Sequence, residues 1–313
     1  MVRCSFFGLS KFLSSSHSAS RKWFTVLSSF VSPLLFFINA PFGRFTLKNQ
    51  SDIFLVDGRY SWVVMELPSP ILFTFAFLTS PLSGGSSNPP SLCTPNAILA
   101  LCFLAHYLNR AILSPLRTPS RSKSHVIVPL AAIAFNVVNG FLMGSYLSSP
   151  AARISLAKPS PRFYLGVALW AAGAAGNIFH DEILLNIRRK AISKGKGKAN
   201  GGEHYAIPNG GLYSFISYPN YFCEWIEWLG FAIAASPVPN MPGLSTLLDP
   251  QTFVNILTTA PDQWAPSLTP PWIFLINEII LMLPRAFRGH QWYHNKFGDS
   301  YPRQRKAVIP FLA

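Results

Sequence analysis

Three polar residues lie at helical spacing inside a strongly apolar stretch of this 313-residue chain. Asn220, Glu224 and Glu227 occur in the segment PNYFCEWIEWLGF, at offsets of four and seven. On a helix these positions fall within roughly 40° of one another, so they form one polar stripe. Carboxylates among Phe, Trp and Leu side chains are costly unless a cation or a hydrogen-bond donor meets them. The stripe therefore indicates either a contact between helices or a pocket for a ligand with many hydrogen-bonding groups.

A second polar stripe consists of Asn177, Asp181 and Arg188, at offsets of four and eleven. These positions again share one helical face. The surrounding segment, LWAAGAAGNIFHDEILLNIRR, changes from small apolar residues to charged ones, as expected where a helix leaves a membrane. Asp181 and Arg188 fit ordinary interfacial charges, whereas the Asn177 and Asp181 pair, deep in the apolar run, requires polar partners.

Glu66 and Tyr107 form a third candidate constellation, with Arg110 one helical turn beyond Tyr107. A carboxylate at the start of a spanning helix and a Tyr near the membrane surface are both common as interfacial residues. If the two side chains face each other, Glu66 could hold the Tyr107 hydroxyl as a donor. Such a donor polarises a ligand carbonyl and stabilises a developing enolate.

The C-terminal segment 283–313 mixes Arg and Lys with Trp and Tyr. It fits either a basic, aromatic anchor at the membrane surface or a site where cations receive ligand phosphates while Tyr293 packs against a ring. His290 and His294 are four residues apart, but no third ligand accompanies them, so no metal site is predicted. The chain has no Walker loop and no GxGxxG after a strand, so a bound nucleotide must lie among helices.

The composition predicts the elements that position these residues. Half of the residues are apolar, only 12% are charged, and the mean hydropathy is +0.28, which is typical of a protein solvated by lipid. We predict an all-α integral membrane protein in which about seven transmembrane helices form one bundle. The predicted spans are residues 23–40, 62–80, 97–114, 126–147, 163–182, 219–236 and 272–287.

The basic residues of the chain, which give a net charge of +14, lie in short loops between the apolar runs. They form no continuous basic face, so no nucleic-acid partner is predicted. If the loops alternate sides, those after the odd-numbered spans carry most of the Lys and Arg residues, which places these loops and the C-terminus in the cytosol. Residues 1–22 are a basic, Ser-rich tail, predicted to be either a transit-like targeting segment or a disordered tail. Residues 190–204 are predicted to be a flexible basic loop.

Several motifs, taken in order, resemble the steroid 5α-reductases, also called 3-oxo-5α-steroid 4-dehydrogenases. The resemblance covers about residues 36–313, and residues 160–313 are its most specific part. The motifs are APFGRF (40–45), MELPS (65–69), AHYLNR (105–110), GNIFHDEILLNIRR (176–189), PNYFCEWIEW (219–228) and RKAVIPF (305–311).

The resemblance implies a seven-helix reductase domain over residues 23–313, in the endoplasmic reticulum membrane, with a cofactor cleft on the cytosolic side. It implies NADPH as cofactor and a lipophilic, steroid-like enone as substrate. Hydride adds to carbon 5 of a 3-oxo-4-ene steroid, and a proton adds to carbon 4. Glu66 and Tyr107 are then expected to grip the 3-keto oxygen. The cofactor residues expected from the motifs are Asn177, Asp181, Arg188, Tyr205, Asn220, Glu224, Tyr293 and Arg305.

The chain departs from the family's pattern at two single positions, in addition to its longer basic loop before Tyr205. Ala206 replaces a customary basic residue, and Gly289 stands where many members have His. The alternative functions are reduction of a trans-2-enoyl-CoA or of a polyprenol double bond, methyl transfer from S-adenosylmethionine in a similar membrane cleft, and a non-catalytic membrane scaffold.

Overall fold

The computed structural model is almost entirely helical and describes residues 2–39, 41, 43–45, 52–83, 94–119, 121–194, 205–240, 243–247 and 249–312. The α-helices are α1 (Val2–Leu34), α2 (Gly58–Glu66), α3 (Pro68–Thr79), α4 (Pro95–Tyr107), α5 (Ser114–Arg117), α6 (Ile127–Leu147), α7 (Pro150–Ser155), α8 (Pro161–Ser193), α9 (Pro219–Ala235), α10 (Leu244–Leu247), α11 (Pro250–Thr258) and α12 (Pro270–Phe297). A π-helical turn, Leu108–Leu113, joins α4 to α5, and four short 3₁₀ turns are Gly43–Phe45, Asp52–Phe54, Gly211–Ser214 and Gly298–Ser300. Two short strands, β1 (Leu55–Val56) and β2 (Ser124–His125), pair antiparallel with Leu55 opposite His125.

Several helices begin where a hydrogen-bonding residue precedes a proline. Thr94, Ser149 and Ser160 each accept a hydrogen bond from a backbone N–H in the first turn of α4, α7 and α8. The proline that follows each of them suits the first helical position, because its missing N–H is not needed there. These local signals fix the N-terminal ends of helices that carry the polar residues.

Three helical segments of the described residues are long and apolar enough to cross a membrane: Gly58–Thr79, Pro95–Arg117 and Ile127–Leu147. Helices also cover most of the other four predicted spans, although the first helix ends at Leu34 and not at residue 40. The role of these four helices as membrane spans stays a prediction. The helix α9 has 17 residues, which corresponds to about 25 Å, slightly less than a hydrocarbon core of about 30 Å. Large apolar side chains on the outer surface, among them Ile71, Phe75, Leu130 and Leu165, are exposed, as expected for contact with lipid.

Two predicted boundaries are wrong. The first helix is continuous from Val2 to Leu34, so the described part of the predicted N-terminal tail is helical and not disordered. Its middle is anchored, because Arg21 donates to the carbonyls of Ala265 and Leu268 and Lys22 donates to two further carbonyls. The helix α8 extends to Ser193, so the predicted basic loop 190–204 starts later, and its residues 195–204 lie outside the described residues.

Small residues bring the central helices into close contact. A Cβ atom on Gly173 of α8 would overlap the backbone nitrogen of Glu227 in α9, and one on Gly230 of α9 would overlap the backbone of Trp170 in α8. The backbones therefore approach as closely as in other glycine-mediated membrane helix pairs. Beside this pair, Trp228 packs against Phe274 of α12, with ring centroids 4.6 Å apart. The close pairing of α8 with α9 brings the two polar stripes face to face.

Candidate active site

A cavity of about 660 Å³ lies between α1, α2, α4, α6, α8, α9 and α12. Its volume is in the range of sites that hold small molecules and cofactors. The predicted site residues that line it are Glu66, Tyr107, Asp181, Arg188, Asn220, Glu224 and Tyr293. Residues from the first half of the chain thus share one cavity with residues from the C-terminal half.

The two polar stripes meet at the contact between α8 and α9. The Asn177 side-chain nitrogen donates to Glu224 Oε2 at 3.2 Å and to the backbone carbonyl of Asn220 at 3.0 Å. The Asn220 side-chain nitrogen donates to Asp181 Oδ1 at 3.0 Å. Each carboxylate therefore receives a hydrogen bond from an amide on the opposite helix. Asn177 is buried behind the wall that Asp181, Asn220 and Glu224 present to the cavity.

Arg110 is the cation that meets two of the cavity carboxylates. Its Nε atom lies 3.4 Å from Glu66 Oε1, and its Nη1 atom lies 3.6 Å from Glu224 Oε2. The residue belongs to the π-helical turn Leu108–Leu113, a geometry that is frequent at functional sites. In the sequence Arg110 lies near Tyr107 and was given no role, although a charge inside an apolar run is itself a signal of function.

Glu66 and Tyr107 face the same cavity, but they are linked through a third residue. The Tyr107 hydroxyl donates to Asn136 Oδ1 at 3.2 Å and accepts a hydrogen bond from Asn139 Nδ2 at 3.0 Å. Asn136 Nδ2 in turn lies 3.4 Å from Glu66 Oε2 and donates to the Met65 carbonyl at 2.7 Å. The Glu66 carboxylate thus reaches the Tyr107 hydroxyl through an amide of α6, and within the described residues it makes no hydrogen bond to the hydroxyl itself.

Glu227, the third residue of the α9 stripe, serves a different contact. Its Oε1 atom lies 2.8 Å from His106 Nδ1, and both side chains are buried. His106 lines the cavity, whereas Glu227 is not one of the described residues that line it. The Glu227 carboxylate is therefore satisfied by a histidine of α4 and needs no ligand as its partner. His106 was not singled out from the sequence, where nothing marks its distance to α9.

Tyr205 and Arg305 lie beside the cavity and, within the described part of the chain, do not contribute to its lining. Arg305 donates to the Pro208 carbonyl at 3.0 Å and to Asn209 Oδ1 at 2.8 Å, so it holds the segment that leads from Tyr205 into α9. The Tyr205 ring packs against Trp292 of α12, with centroids 4.9 Å apart. Both residues therefore fix the chain next to the cavity wall that contains Tyr293.

Hydrogen bonds connect α12 and the C-terminal tail to the segment before α9. Ser217 Oγ lies 2.6 Å from both His290 Nδ1 and the Tyr301 hydroxyl. Burial raises the pKa of Tyr301, and burial together with the neighbouring His294 lowers the pKa of His290 to about 4. His290 is therefore neutral near pH 7. No group of three or more His, Cys, Asp or Glu side chains in the described residues is arranged to hold a metal ion.

Gly289, one of the two departures from the family's pattern, leaves room for the side chain of Tyr218. A Cβ atom on Gly289 would overlap the hydroxyl oxygen of Tyr218, and Tyr218 lines the cavity. The space of a larger residue at position 289 is thus occupied by the Tyr218 ring. This pairing could not be read from the sequence, because the two residues are 71 positions apart.

Three arginines give part of the cavity a positive character that fits a phosphorylated cofactor. Arg121, Arg188 and Arg285 all line the cavity. The Arg121 guanidinium lies over the Trp62 ring, 3.7 Å from its centroid, and its buried Nε atom has no hydrogen-bond partner in the described part of the chain. A cavity-facing cation with such an atom left unsatisfied suits an anionic group. Arg188 was predicted as a cofactor residue, and Arg285 belongs to the C-terminal segment 283–313, whose cations were one candidate phosphate site. Arg121 was counted only among the loop charges.

Comparison with known proteins identifies the family of the chain. The profile of the 3-oxo-5-alpha-steroid 4-dehydrogenase family matches residues 122–267 and 263–313. The chain is 38% identical to an uncharacterised protein of Schizosaccharomyces pombe, over 90% of this chain and 94% of the relative. It is 31% identical to 3-oxo-5-alpha-steroid 4-dehydrogenase 1 of Bos taurus, over 89% of this chain and 90% of that protein. A steroid 5-alpha-reductase of Solanum lycopersicum is 29% identical over 88% of this chain and 89% of its own length. The chain therefore belongs to the 3-oxo-5-alpha-steroid 4-dehydrogenase family of oxidoreductases, which act on CH–CH groups.

Proposed function

We propose that this protein reduces the carbon 4–5 double bond of a 3-oxo-4-ene steroid, or of a similar lipophilic enone, with NADPH. The observation that carries the proposal is that one cavity holds both a carbonyl-binding group, Tyr107, and the polar wall of α8 and α9. Arg110 links these two halves through its ion pairs with Glu66 and Glu224. The bovine relative, a 3-oxo-5-alpha-steroid 4-dehydrogenase, and the tomato relative, a steroid 5-alpha-reductase, support the same reaction.

The substrate half of the cavity combines an apolar wall with one polar end. Apolar side chains of α1, α6 and α12 line it, including Val31, Leu35, Val128, Ala131, Phe135 and Phe274. At the polar end, the Tyr107 hydroxyl turns its proton from Asn136 to the ketone oxygen and still accepts from Asn139. As negative charge develops on that oxygen, a donor held in this way stabilises it, because the donor is already oriented in a site of low dielectric.

The cofactor half is formed by the wall of α8 and α9 and by the arginines. NADPH, when bound, supplies the hydride that adds to carbon 5. Asn220, Glu224 and Asp181 offer hydrogen bonds to its nicotinamide end, and Asn177 orients Glu224 from behind. Arg188 and Arg121 receive the phosphates, while Tyr293 packs against a ring. Tyr205 and Arg305 fix the segment 205–209 against this half.

The proposed location is the endoplasmic reticulum membrane, with about seven spans and with the basic loops and the C-terminus in the cytosol. The three apolar helices support association with a membrane. The Lys and Arg residues after the odd-numbered predicted spans support the orientation. In this orientation the arginine-rich part of the cavity faces the compartment that supplies NADPH.

The test of the proposed chemistry is the Tyr107→Phe variant, assayed in detergent with progesterone and NADPH. Loss of one preorganised donor lowers kcat by about 10²–10³-fold in comparable oxyanion sites, and we expect a loss of this size. Binding of NADPH, followed by thermal shift, is expected to remain. The matched control is Tyr146→Phe, which removes a hydroxyl that donates to the Ala235 carbonyl outside the cavity lining. Equal turnover by the two variants would refute the role of Tyr107.

The same assay separates the alternative functions. Wild-type protein is offered a 4-ene-3-ketosteroid, a trans-2-enoyl-CoA and a polyprenol, with NADPH consumption and product mass as readouts. Product from the thioester or the polyprenol alone would replace the ketosteroid assignment. Stabilisation by S-adenosylmethionine but not by NADPH would indicate a methyltransferase, and an absence of any product or shift would indicate a scaffold.

A further inference from the structure

His106 of α4 lines the cavity and pairs with a carboxylate of α9. Its Nδ1 atom lies 2.8 Å from Glu227 Oε1, and both side chains are buried. Because Nδ1 is engaged by Glu227, Nε2 is the ring nitrogen that can serve a molecule in the cavity. A carboxylate held against one nitrogen of a histidine orients the ring and stabilises its imidazolium form, while the other nitrogen exchanges a proton. The pair thus has the parts of a general acid and its positioning group.

His106 lies where the two halves of the proposed site meet. Its ring contacts the Tyr107 ring edge to face, with centroids 5.1 Å apart, so it is next to the group proposed to bind the ketone. Toward the cofactor wall it interacts electrostatically with Glu224 and Arg110. A ketone oxygen bound by Tyr107 brings carbon 4, which is two bonds away from that oxygen, to this same region of the cavity.

The other ionisable groups near the ketone position are less suited to give a proton to carbon. Glu66 and Glu224 pair with the Arg110 guanidinium, which favours their ionised forms, and the guanidinium itself keeps its protons. Glu278 of α12 lines the cavity and interacts electrostatically with both Arg110 and His106, so it is the competing acid. His106 is favoured because its ring contacts the ketone-binding tyrosine and is oriented by a carboxylate of its own.

We infer that His106 is the general acid of the reduction and that the proton on its Nε2 atom passes to carbon 4 of the substrate. The inference rests on the proposed enone reduction and adds the source of its proton. Addition of hydride at carbon 5 leaves an enolate with a double bond between carbons 3 and 4 and its charge on the oxygen held by Tyr107.

Proton transfer then restores the ketone. The electron pair of the enolate double bond forms the new bond from carbon 4 to the proton, and the carbon–oxygen double bond re-forms. The electron pair of the broken N–H bond stays on Nε2, so the imidazolium of His106 becomes a neutral imidazole. It regains a proton from water before the next turnover. Glu227 acts through the ring and is a positioning residue.

The first test is the pH profile of kcat, measured with saturating progesterone and NADPH. In the wild-type protein, kcat is expected to fall on the alkaline side as the imidazolium is lost. His106→Asn offers an amide nitrogen to Glu227 in place of Nδ1 but has no proton to transfer. It is expected to lower kcat about 10²–10⁴-fold and to abolish the alkaline limb of the profile. Glu227→Gln keeps a hydrogen-bond acceptor without the charge, so a smaller loss and a limb at lower pH are expected.

The second test follows the proton without any reduction. The 5α-reduced product of progesterone is incubated in D₂O with the protein and NADP⁺, and deuterium at carbons 4 and 2 is measured by NMR. Both carbons adjoin the ketone, so carbon 2 reports polarisation by Tyr107 alone, and carbon 4 reports the acid as well. His106→Asn is expected to slow exchange at carbon 4 at least tenfold and to leave exchange at carbon 2 unchanged. An equal loss at both carbons overturns the inference, because it indicates that the histidine only supports the fold.

Two control variants separate His106 from other groups. His17→Asn makes the same substitution at a buried histidine of α1 that is not among the described cavity residues, and it is expected to keep the wild-type pH profile. Glu278→Gln tests the competing acid. If Glu278→Gln and not His106→Asn abolishes the alkaline limb and the exchange at carbon 4, the acid is the carboxyl group of α12 and the inference is wrong.

Folding and the proposed function are controlled separately. If thermal unfolding shows that His106→Asn does not fold, Glu227→Gln decides: an unchanged pH profile and an unchanged ratio of exchange at carbons 4 and 2 overturn the inference. If the wild-type protein reduces no enone, the proposed function fails and the inference fails with it. If the wild-type protein reduces progesterone and His106→Asn keeps its kcat and its alkaline limb, only the role of His106 fails.

Discussion

Arg110 is expected to be the most sensitive charged residue of the molecule, because one guanidinium serves two carboxylates. In an Arg110→Met variant, Glu66 and Glu224 both lose their cation, while the alkyl part of the side chain is retained. Removing one partner of a buried pair costs about 3–5 kcal/mol. The Arg110 side chain is 26% exposed to the cavity, so the lower value, about 3 kcal/mol, is the appropriate one. For a protein of this size, that corresponds to a fall in Tm on the order of 6 °C.

The assay is thermal unfolding of the purified protein in detergent, at one scan rate for all variants. The matched control is Arg189→Met, which makes the same substitution in an ion pair with Glu182 whose arginine is 38% exposed. Exposed pairs contribute about 0–1 kcal/mol, so the control is expected to shift Tm little. Adding Glu224→Gln to Arg110→Met removes one of the orphaned charges and is expected to recover part of the loss. Equal Tm values for Arg110→Met and Arg189→Met would refute the reasoning.

Three further predictions concern packing and pH. Gly289→Ala is expected to displace the Tyr218 hydroxyl from the cavity and to weaken NADPH binding, measured by titration, at least severalfold. Tm is expected to change little, because only the end of the Tyr218 side chain moves. Unaltered NADPH binding would contradict this prediction. Gly173→Ala forces the α8 and α9 backbones apart and is expected to cost about 1–3 kcal/mol in thermal unfolding. The control is Gly243→Ala, whose added Cβ meets only the Ser245 hydroxyl at an ordinary 3.9 Å, and it is expected to leave Tm unchanged. Because the pKa of His290 is depressed to about 4 from an ordinary value of about 6.5, the unfolded chain binds more protons between these values, and stability falls as pH falls through this window. In a His290→Asn variant the loss of Tm between pH 7 and pH 5 is expected to be smaller than in the wild-type protein; an identical pH dependence would exclude this residue as a contributor.

The helices that carry the site could be predicted closely from the sequence because their signals are local. The predicted span 219–236 matches the helix Pro219–Ala235, where a proline marks the start and an apolar run sets the length. The predicted span 126–147 matches Ile127–Leu147 because a long apolar run sets its length. The first helix was predicted to start too late because its N-terminal part is Ser-rich and basic. Tertiary hydrogen bonds from Arg21 and Lys22 help to hold it in place, and local propensity does not reveal them.

The candidate site could be predicted where helical periodicity gathers polar residues on one face, as for Asn177 with Asp181 and Asn220 with Glu224. Periodicity says which residues share a face but not what that face meets. The place of Asn136 between Glu66 and Tyr107 depends on how α6 packs against α2 and α4, and no local pattern contains that information. For this reason the sequence indicated the carboxylates, and the structure was needed to find the groups that satisfy them.

Tyr107 and the wall of α8 and α9 share one cavity, and the central claim is that hydride passes in this cavity from NADPH to carbon 5 of an enone. The most direct test incubates the purified protein with progesterone and NADPH that carries deuterium at the transferred position. The account predicts a product heavier than unlabelled 5α-reduced steroid by one deuterium, with the label at carbon 5 and none at carbon 4. Label at carbon 4, or a reduced product without label, would contradict it.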